Sequence, residues 1–205
     1  MKIQKIYDHG QGWWVDPEFR CPSNKSSERS QRPCLVVLHW DAAPKKTVEQ
    51  NLERIKKLAT NSEKKSSHFF ILRDGQIWQM VSVDRAAWHA GTSEWTCKNG
   101  TGSKKSVNLF SIGIDFDMVG PVTQTAAGLR DCYGGAFDGN AEIAADGKLY
   151  EVPTDEQLWA ARVLIDALRH AFSIPNCDIV GHVDVSPGRK IDPGPFITRA
   201  ALGME

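Results

Sequence analysis

His68-Phe69-Phe70-Ile71-Leu72-Arg73-Asp74-Gly75-Gln76-Ile77-Trp78-Gln79-Met80-Val81 is the stretch whose reading decides the fold. Two strand-like runs, 68–73 and 76–81, flank Asp74-Gly75. Asp-Gly in that setting predicts a β-hairpin, because both central residues tolerate positive φ. On its N-terminal side, Thr47-Val48-Glu49-Gln50 has the pattern of a capping box. Val48, Leu52, Ile55 and Ala59 then recur on one face, which predicts an amphipathic helix over 48–59. Further out, the compact β-branched run Leu35-Val36-Val37-Leu38 reads as a buried strand with His39 at its end. On the C-terminal side, Ser111-Ile112-Gly113-Ile114-Asp115-Phe116 reads as another strand, with Gly113 permitting close backbone approach. Thr154-Asp155-Glu156-Gln157 is a second capping box. It opens a helix whose buried face is Leu158, Ala161, Ile165, Leu168 and Phe172, with Arg169 and His170 suited to its C-terminal dipole and Pro175 as its stop. Asp178-Ile179-Val180-Gly181 is a last short strand delivering His182. Strands interleaved with helices, plus one hairpin, predict the α/β class: a single mixed central β-sheet flanked by helices.

The chain has 205 residues, 41% of them hydrophobic and 24% charged, so it sits in the globular range and can bury a full core. One domain over 1–205 is expected, with an irregular polar lead-in at 1–34 and a glycine-rich insertion at 119–150 that is either functional or mobile. Lys plus Arg equals Asp plus Glu at 25 each, which argues against a general nucleic-acid binder. No apolar run approaches the roughly 20 residues that cross a bilayer, and the first ten residues have no apolar signal region. Neither a membrane nor a nucleic-acid partner is therefore expected. The location implied is cytoplasmic as synthesised, or outside the cell by lysis or by a signal-independent route. Cys21, Cys34, Cys97, Cys132 and Cys177 are odd in number, widely spaced and without a C-x-x-C, so buried or free thiols are expected rather than a disulfide framework.

Three residues stand out as metal ligands. His39 and His182 each follow a predicted strand, and Asp192 lies in a stretch stiffened by Pro187 and Pro193. Two imidazoles and one carboxylate leave zinc an open position, the pattern of a catalytic site. On spacing alone, ordinary structural histidines fit as well. Lys190, two residues before Asp192, could stabilise a developing oxyanion or be a solvated lysine. Asp115, at a strand end, could be a general base or a turn aspartate. His68 and His89 read either as hydrogen-bonded structural histidines or as cleft-lining groups. Trp13, Trp14, Trp78, Trp95 and Trp159 read as packing residues, with Trp95 expected to be exposed.

Gly181-His182-Val183-Asp184-Val185-Ser186-Pro187-Gly188-Arg189-Lys190-Ile191-Asp192-Pro193-Gly194-Pro195-Phe196 resembles the C-terminal signature of the zinc-dependent N-acetylmuramoyl-L-alanine amidases of type 2, in the peptidoglycan-recognition-protein superfamily. Other segments fall in that family's order. Leu35 to His39 resembles its first strand and first zinc histidine. Ser67-His68-Phe69 through Gln79 resembles its hairpin, Ala87-Trp88-His89-Ala90-Gly91 its substrate-side loop, and Ser111-Ile112-Gly113-Ile114 the strand carrying its catalytic carboxylate. Pro22-Ser23-Asn24 with Arg29 looks like its lead-in. The resemblance covers most of 22–196, outside 119–150. It implies hydrolysis of the amide between the lactyl group of N-acetylmuramic acid and L-alanine, in peptidoglycan or soluble muropeptides. It implies one zinc ion (Zn2+) on His39, His182 and Asp192, with Lys190 steadying the tetrahedral intermediate. Trp88, His89 and His68 would bind substrate, and Trp40 is expected to pack beside the site. Asp115 stands where the family usually has glutamate. The shorter arm retracts the carboxylate by about 1.5 Å, and misplacement of about 1 Å can cost on the order of 100-fold in rate. An inward backbone shift, a second water or Asp117 would have to compensate.

Two function classes compete. One is a zinc amidase; the other is a catalytically silent module that holds the same ligand, favoured only by Asp115. A zinc peptidase of another family would need H-E-x-x-H, which is absent from the sequence. A recycling enzyme, a phage lysin and a secreted antibacterial effector, the last with an immunity or delivery partner, all fit the same chemistry.

Overall fold

The computed structural model describes residues 6–29, 31–44, 47–98 and 105–204; the outermost residues of the chain and part of the Gly91–Val107 loop lie outside them. Along the chain run β1 (Ser26–Glu28), β2 (Leu35–Trp40), α1 (Val48–Thr60), β3 (Phe69–Ile71), β4 (Ile77–Gln79), β5 (Arg85–Ala87) and β6 (Ser111–Phe116). Then follow β7 (Pro121–Thr125), β8 (Gly128–Asp131), β9 (Ala141–Ile143), β10 (Leu149–Glu151), α2 (Asp155–Phe172), β11 (Ile179–Gly181) and α3 (His182–Val185).

The central sheet has the order β11-β2-β6-β3-β4. The first four strands are parallel, and β4 pairs antiparallel with β3 through the hairpin. This is the single mixed sheet that the sequence predicts. The hairpin turn is looser than an Asp-Gly two-residue turn. Leu72 N–H donates to Gln76 C=O and Gly75 N–H to Leu72 C=O, both at 2.9 Å, and Gly75 alone takes positive φ (81°). A three-residue loop with glycine in the left-handed position results.

Period-two alternation sorts the side chains. Val36, Leu38, Phe69, Ile71, Ile112, Ile114 and Phe116 face α2, where Ala160, Ala161, Leu164, Ile165 and Leu168 complete the main core. On the opposite face Phe70, Leu72 and Trp78 pack under Ile55, Leu58 and Ala59 of α1. Both helices start where their capping boxes place them, on Thr47 and Thr154. The buried stripe of α2 is rotated from the predicted one: Ala160 and Leu164 are buried, whereas Leu158 and Phe172 only flank the core. The helix stops at Ser173, in the left-handed region, before Pro175 is reached.

Three expectations are corrected. First, the 119–150 segment is not structureless. It forms a second, four-stranded antiparallel sheet, β8-β7-β10-β9, around a small core of Val119, Val122 and Phe137. Its strands are only three to five residues long, too short to show a period in the sequence. Glu151 anchors this sheet to the hairpin by an ion pair with Arg73. Second, the lead-in is partly ordered. β1 pairs with β5, and Gln79 at the sheet edge accepts from Trp14 N–H at 2.7 Å and donates to Gly12 C=O at 2.8 Å. Third, Cys34 and Cys97 are joined by a disulfide, while Cys21, Cys132 and Cys177 are free. An odd count and wide spacing carry no information about a pair brought together from 63 residues apart. Among the described residues, no helix is long and apolar enough to cross a membrane.

Candidate metal centre and active-site cleft

The cleft lies at the carboxyl ends of the parallel strands, where side chains leave rigid backbone and meet solvent. Its volume is about 300 Å³, and His39, His182, Asp192, Asp115, Lys190 and Trp88 all line it. His39 lies within β2 rather than after it, pointing away from the α2 core because Val36 and Leu38 take the other face. Asp115 on β6 is the register partner of His39, and by the same alternation it emerges on the same face. β11 is parallel to β2 and ends at Gly181, so His182 begins α3 one strand away from His39. The signature loop then folds back: Val183 N–H donates to Asp192 C=O at 2.9 Å.

Hydrogen bonding fixes what the three candidate ligands present to one another. The Ser111 hydroxyl donates to Val107 C=O at 2.7 Å, so its oxygen accepts from His89 Nε2–H at 3.0 Å. His89 Nδ1 is then an acceptor, and the group it faces at 2.9 Å, His39 Nε2, must carry the proton. That leaves a bare lone pair on His39 Nδ1. His182 Nε2 faces Ala90 C=O at 3.0 Å and, at a longer 3.3 Å, the Arg189 guanidinium; a proton on Nε2 serves the shorter contact and leaves His182 Nδ1 bare as well. His39 Nδ1, His182 Nδ1 and Asp192 Oδ2 lie 2.9 Å from one another. Three buried acceptors thus converge with no proton among them, an arrangement that a divalent cation satisfies. If protons fill the site instead, burial raises the Asp192 pKa, but hydrogen bonds from His182 and His39 outweigh it and hold the carboxyl below its usual range. Asp192 is therefore anionic in either state.

The surroundings hold these rings in place. Burial, and then the nearness of His39, push the His89 pKa well below its ordinary value, so His89 stays neutral and keeps its acceptor nitrogen. Gly113 makes room for it: a Cβ there would lie 2.6 Å from the His89 ring. Arg189 donates to Ala90 C=O at 2.7 Å and Thr92 C=O at 2.8 Å, stiffening the carbonyl on which His182 rests. Trp40 lines the cleft, wedged between Gly120 and Gly194, where a Cβ would lie 2.6 and 2.3 Å from its ring. Gly194 of the signature is thus a packing requirement.

The remaining sequence candidates fall in different places. Trp88 lines the cleft and donates Nε1–H to Ser27 Oγ at 2.9 Å. His68 is fully buried and outside the lining. Its Nδ1 accepts from Gly113 N–H at 2.9 Å and its Nε2–H donates to Arg85 C=O at 3.0 Å. Burial and the adjacent Arg29 lower its pKa to about 3. Asp117 is buried against Asn51, at 2.7 Å, and beside Arg73, away from the cleft, so it does not compensate for Asp115. Trp95 is half-buried, not exposed, with Nε1–H donating to Asp178 at 3.0 Å. Trp159 is exposed, not packed. Sequence reasoning missed Asp41, Arg54, Lys65 and Tyr133 in the lining. Asp41 forms an ion pair with Arg54, and burial pushes its carboxyl pKa up. None of the four belongs to a motif, and the 119–150 insertion that brings Tyr133 showed no period.

Fold and site together define a class: a mixed α/β protein with a buried His-His-Asp group that could hold a metal ion, open to a cleft at the strand ends. Comparison with known proteins narrows it. Residues 29–195 match the N-acetylmuramoyl-L-alanine amidase family, and the chain belongs to that family. It is 31% identical over 130 residues to the 1,6-anhydro-N-acetylmuramyl-L-alanine amidase AmpD of Escherichia coli (strain K12), a match covering 63% of this chain and 52% of the relative. The chain thus spans about half the length of that relative and of most of the other curated relatives it matches. The crystal structure of a selenomethionine AmpD derivative superposes with a TM-score of 0.66 at 24% identity, covering 96% of this chain and 98% of that one. The Escherichia coli amidase AmiD, solved with anhydro-N-acetylmuramic acid-L-Ala-D-gamma-Glu-L-Lys, superposes with a TM-score of 0.58 at 23% identity, covering 85% and 58%. The fold is that of these amidases.

Proposed function

We propose that the chain hydrolyses the amide between the lactyl group of N-acetylmuramic acid and L-alanine, in peptidoglycan or soluble muropeptides, releasing the stem peptide. One zinc per chain would be held by His39, His182 and Asp192. The observation that carries this reading is the convergence of three proton-free acceptors beside Asp115 and Lys190 in one cleft. A zinc ion held by these three residues would supply Lewis-acid polarisation of the scissile carbonyl and would activate water near neutral pH. Asp115 accepts the proton of the attacking water and passes it to the leaving nitrogen of L-alanine. The β2–β6 register sets its backbone directly beside that of His39, at a strand spacing of about 4.8 Å. The Lys190 ammonium stabilises the negative charge that develops on the carbonyl oxygen. Trp88 and His89 form part of the wall that orients substrate, and His89 also holds His39 through its Nδ1. The Cys34–Cys97 bond favours action in an oxidising compartment, since such bonds are rare in reducing ones.

The test is incubation of zinc-loaded protein with purified peptidoglycan and with a defined muropeptide, beside His182→Ala, with products read by mass spectrometry. Free stem peptide beginning at L-alanine, from the wild type only, supports the reading. One tightly bound zinc with no release from either substrate favours the silent ligand-holding module, for which Asp115 in place of glutamate is the motivating observation.

A further inference from the structure

Tyr133 is the most exposed aromatic ring of the cleft lining. It sits just past β8 in the insertion, 66% exposed, yet it lines the same cavity as His39, Asp115 and Lys190. Its placement is built. The Asp131 carboxylate accepts from Tyr133 N–H at 2.9 Å and from Gly135 N–H at 2.8 Å, and Gly134 N–H donates to Asp131 C=O at 3.0 Å, closing the turn. Gly134 takes positive φ (81°) to complete it. The Tyr133 hydroxyl donates to Ala42 C=O at 2.8 Å, three residues beyond His39. Ala42 itself sits at φ 54°, a left-handed conformation that alanine rarely adopts. The loop is secured from below, where Asp41 accepts from Ala43 N–H at 3.1 Å and pairs with Arg54.

A ring tied at its hydroxyl is held in place, and at 66% exposure most of its surface is open to the cleft or solvent. The other aromatic rings of the lining are less available: Phe70 is buried, Trp40 is wedged between glycines, and Trp88 is half-buried and anchored to Ser27. Charge in the lining comes from Asp41, Arg54, Lys65, Asp115 and Lys190, beside the candidate ligand Asp192. Those groups suit the carboxylates and amide groups of a peptide. A rigid apolar face suits the flat C–H face of a pyranose ring, because it buries apolar surface at little entropic cost. We propose that Tyr133 is a specificity-determining residue that stacks on the saccharide ring of the substrate, so that the insertion makes the site require a sugar and not only a lactyl-peptide. This rests on the amidase reading above.

The experiment compares wild type, Tyr133→Ala and Tyr133→Phe, zinc-loaded, on N-acetylmuramyl-tripeptide and on the sugar-free D-lactyl-tripeptide. The readout is the ratio of kcat/KM for the two substrates. In Tyr133→Ala this preference for the sugar-bearing substrate falls about 10-fold, mostly through KM, a change equivalent to about 1.4 kcal/mol. Tyr133→Phe keeps the ring and loses the tether, and the preference falls by no more than about threefold. A ratio unchanged in Tyr133→Ala while both substrates slow together overturns the proposal, because the ring is then a support for the 41–43 loop. Equal losses in Tyr133→Phe and Tyr133→Ala overturn it likewise. Should no substrate be hydrolysed, the amidase reading fails separately, and calorimetric binding of N-acetylmuramyl-tripeptide decides this one. Weakening by about 10-fold in Tyr133→Ala supports stacking; unchanged affinity refutes it.

Discussion

Removing the Cys34–Cys97 bond is expected to cost both stability and metal affinity, for reasons that can be separated. The bond closes a loop of 63 residues. In the chain-entropy treatment, a loop of that length withholds about 4 kcal/mol from the unfolded state. Against total stabilities of about 5–15 kcal/mol this is a large fraction. For a chain of this size it corresponds to a fall in Tm of about 8–16 °C. Both cysteines are buried in a cluster with Leu35, Val37, Phe110 and Val180, so the tether joins the start of β2 to the segment carrying Ala90 and Thr92. That segment bears the carbonyls gripped by His182 and Arg189. Loosening it frees the His182 ring to rotate, and support lost around a ligand histidine typically weakens metal binding by about 10-fold or more. The perturbation is Cys34→Ala/Cys97→Ala, beside mild reduction of the wild type. Thermal unfolding by circular dichroism reads the first effect, and competition with a fluorescent zinc chelator reads the second. Thiol titration of unfolded, unreduced wild type should count three free thiols, those of Cys21, Cys132 and Cys177. Five free thiols, or a double variant that melts within about 2 °C of wild type, would refute the reasoning.

Other expectations follow from the same contacts. His89→Ala removes the acceptor that fixes the His39 tautomer and Ser111→Ala the one that fixes the His89 tautomer, and each should weaken zinc binding about 10- to 100-fold; affinities within twofold of wild type sink the tautomer argument. His68 has its pKa lowered to about 3 in the folded protein, against about 6.5 when exposed, so the unfolded chain binds the extra proton. Its contribution is complete above about pH 6.5 and drains as pH falls toward 3, by about 2 kcal/mol between pH 7 and 5. Urea unfolding at both pH values should show that much less acid sensitivity in His68→Gln. Asp115→Asn should lower kcat about 10²- to 10⁴-fold with zinc still bound, as expected for loss of a general base. Retained turnover would assign the proton transfer to another group.

The hairpin, both capped helices and the 111–116 strand were legible because each is governed by neighbours in sequence: turn residues, caps and period. The Gly181–Phe196 signature pointed to His182, Lys190 and Asp192 for a related reason, since these candidate site residues share one short loop. Other features were not legible. The four-stranded insertion sheet gains order from cross-strand pairing of runs too short to show a period. Trp95 lost its expected exposure to Asp178, 83 residues away.

The sequence by itself therefore determined the mixed α/β class, the ends of the two main helices and the residue types able to hold a cation, because local geometry and side-chain chemistry dictate these. Tertiary structure alone decided that His39, His182 and Asp192 converge as bare acceptors, that His89 serves His39 while His68 stays in the core, that Cys34 meets Cys97, and that Tyr133 reaches the cleft. Each of those depends on strand register or on closing a long loop, and such distances exist only once the sheet has formed.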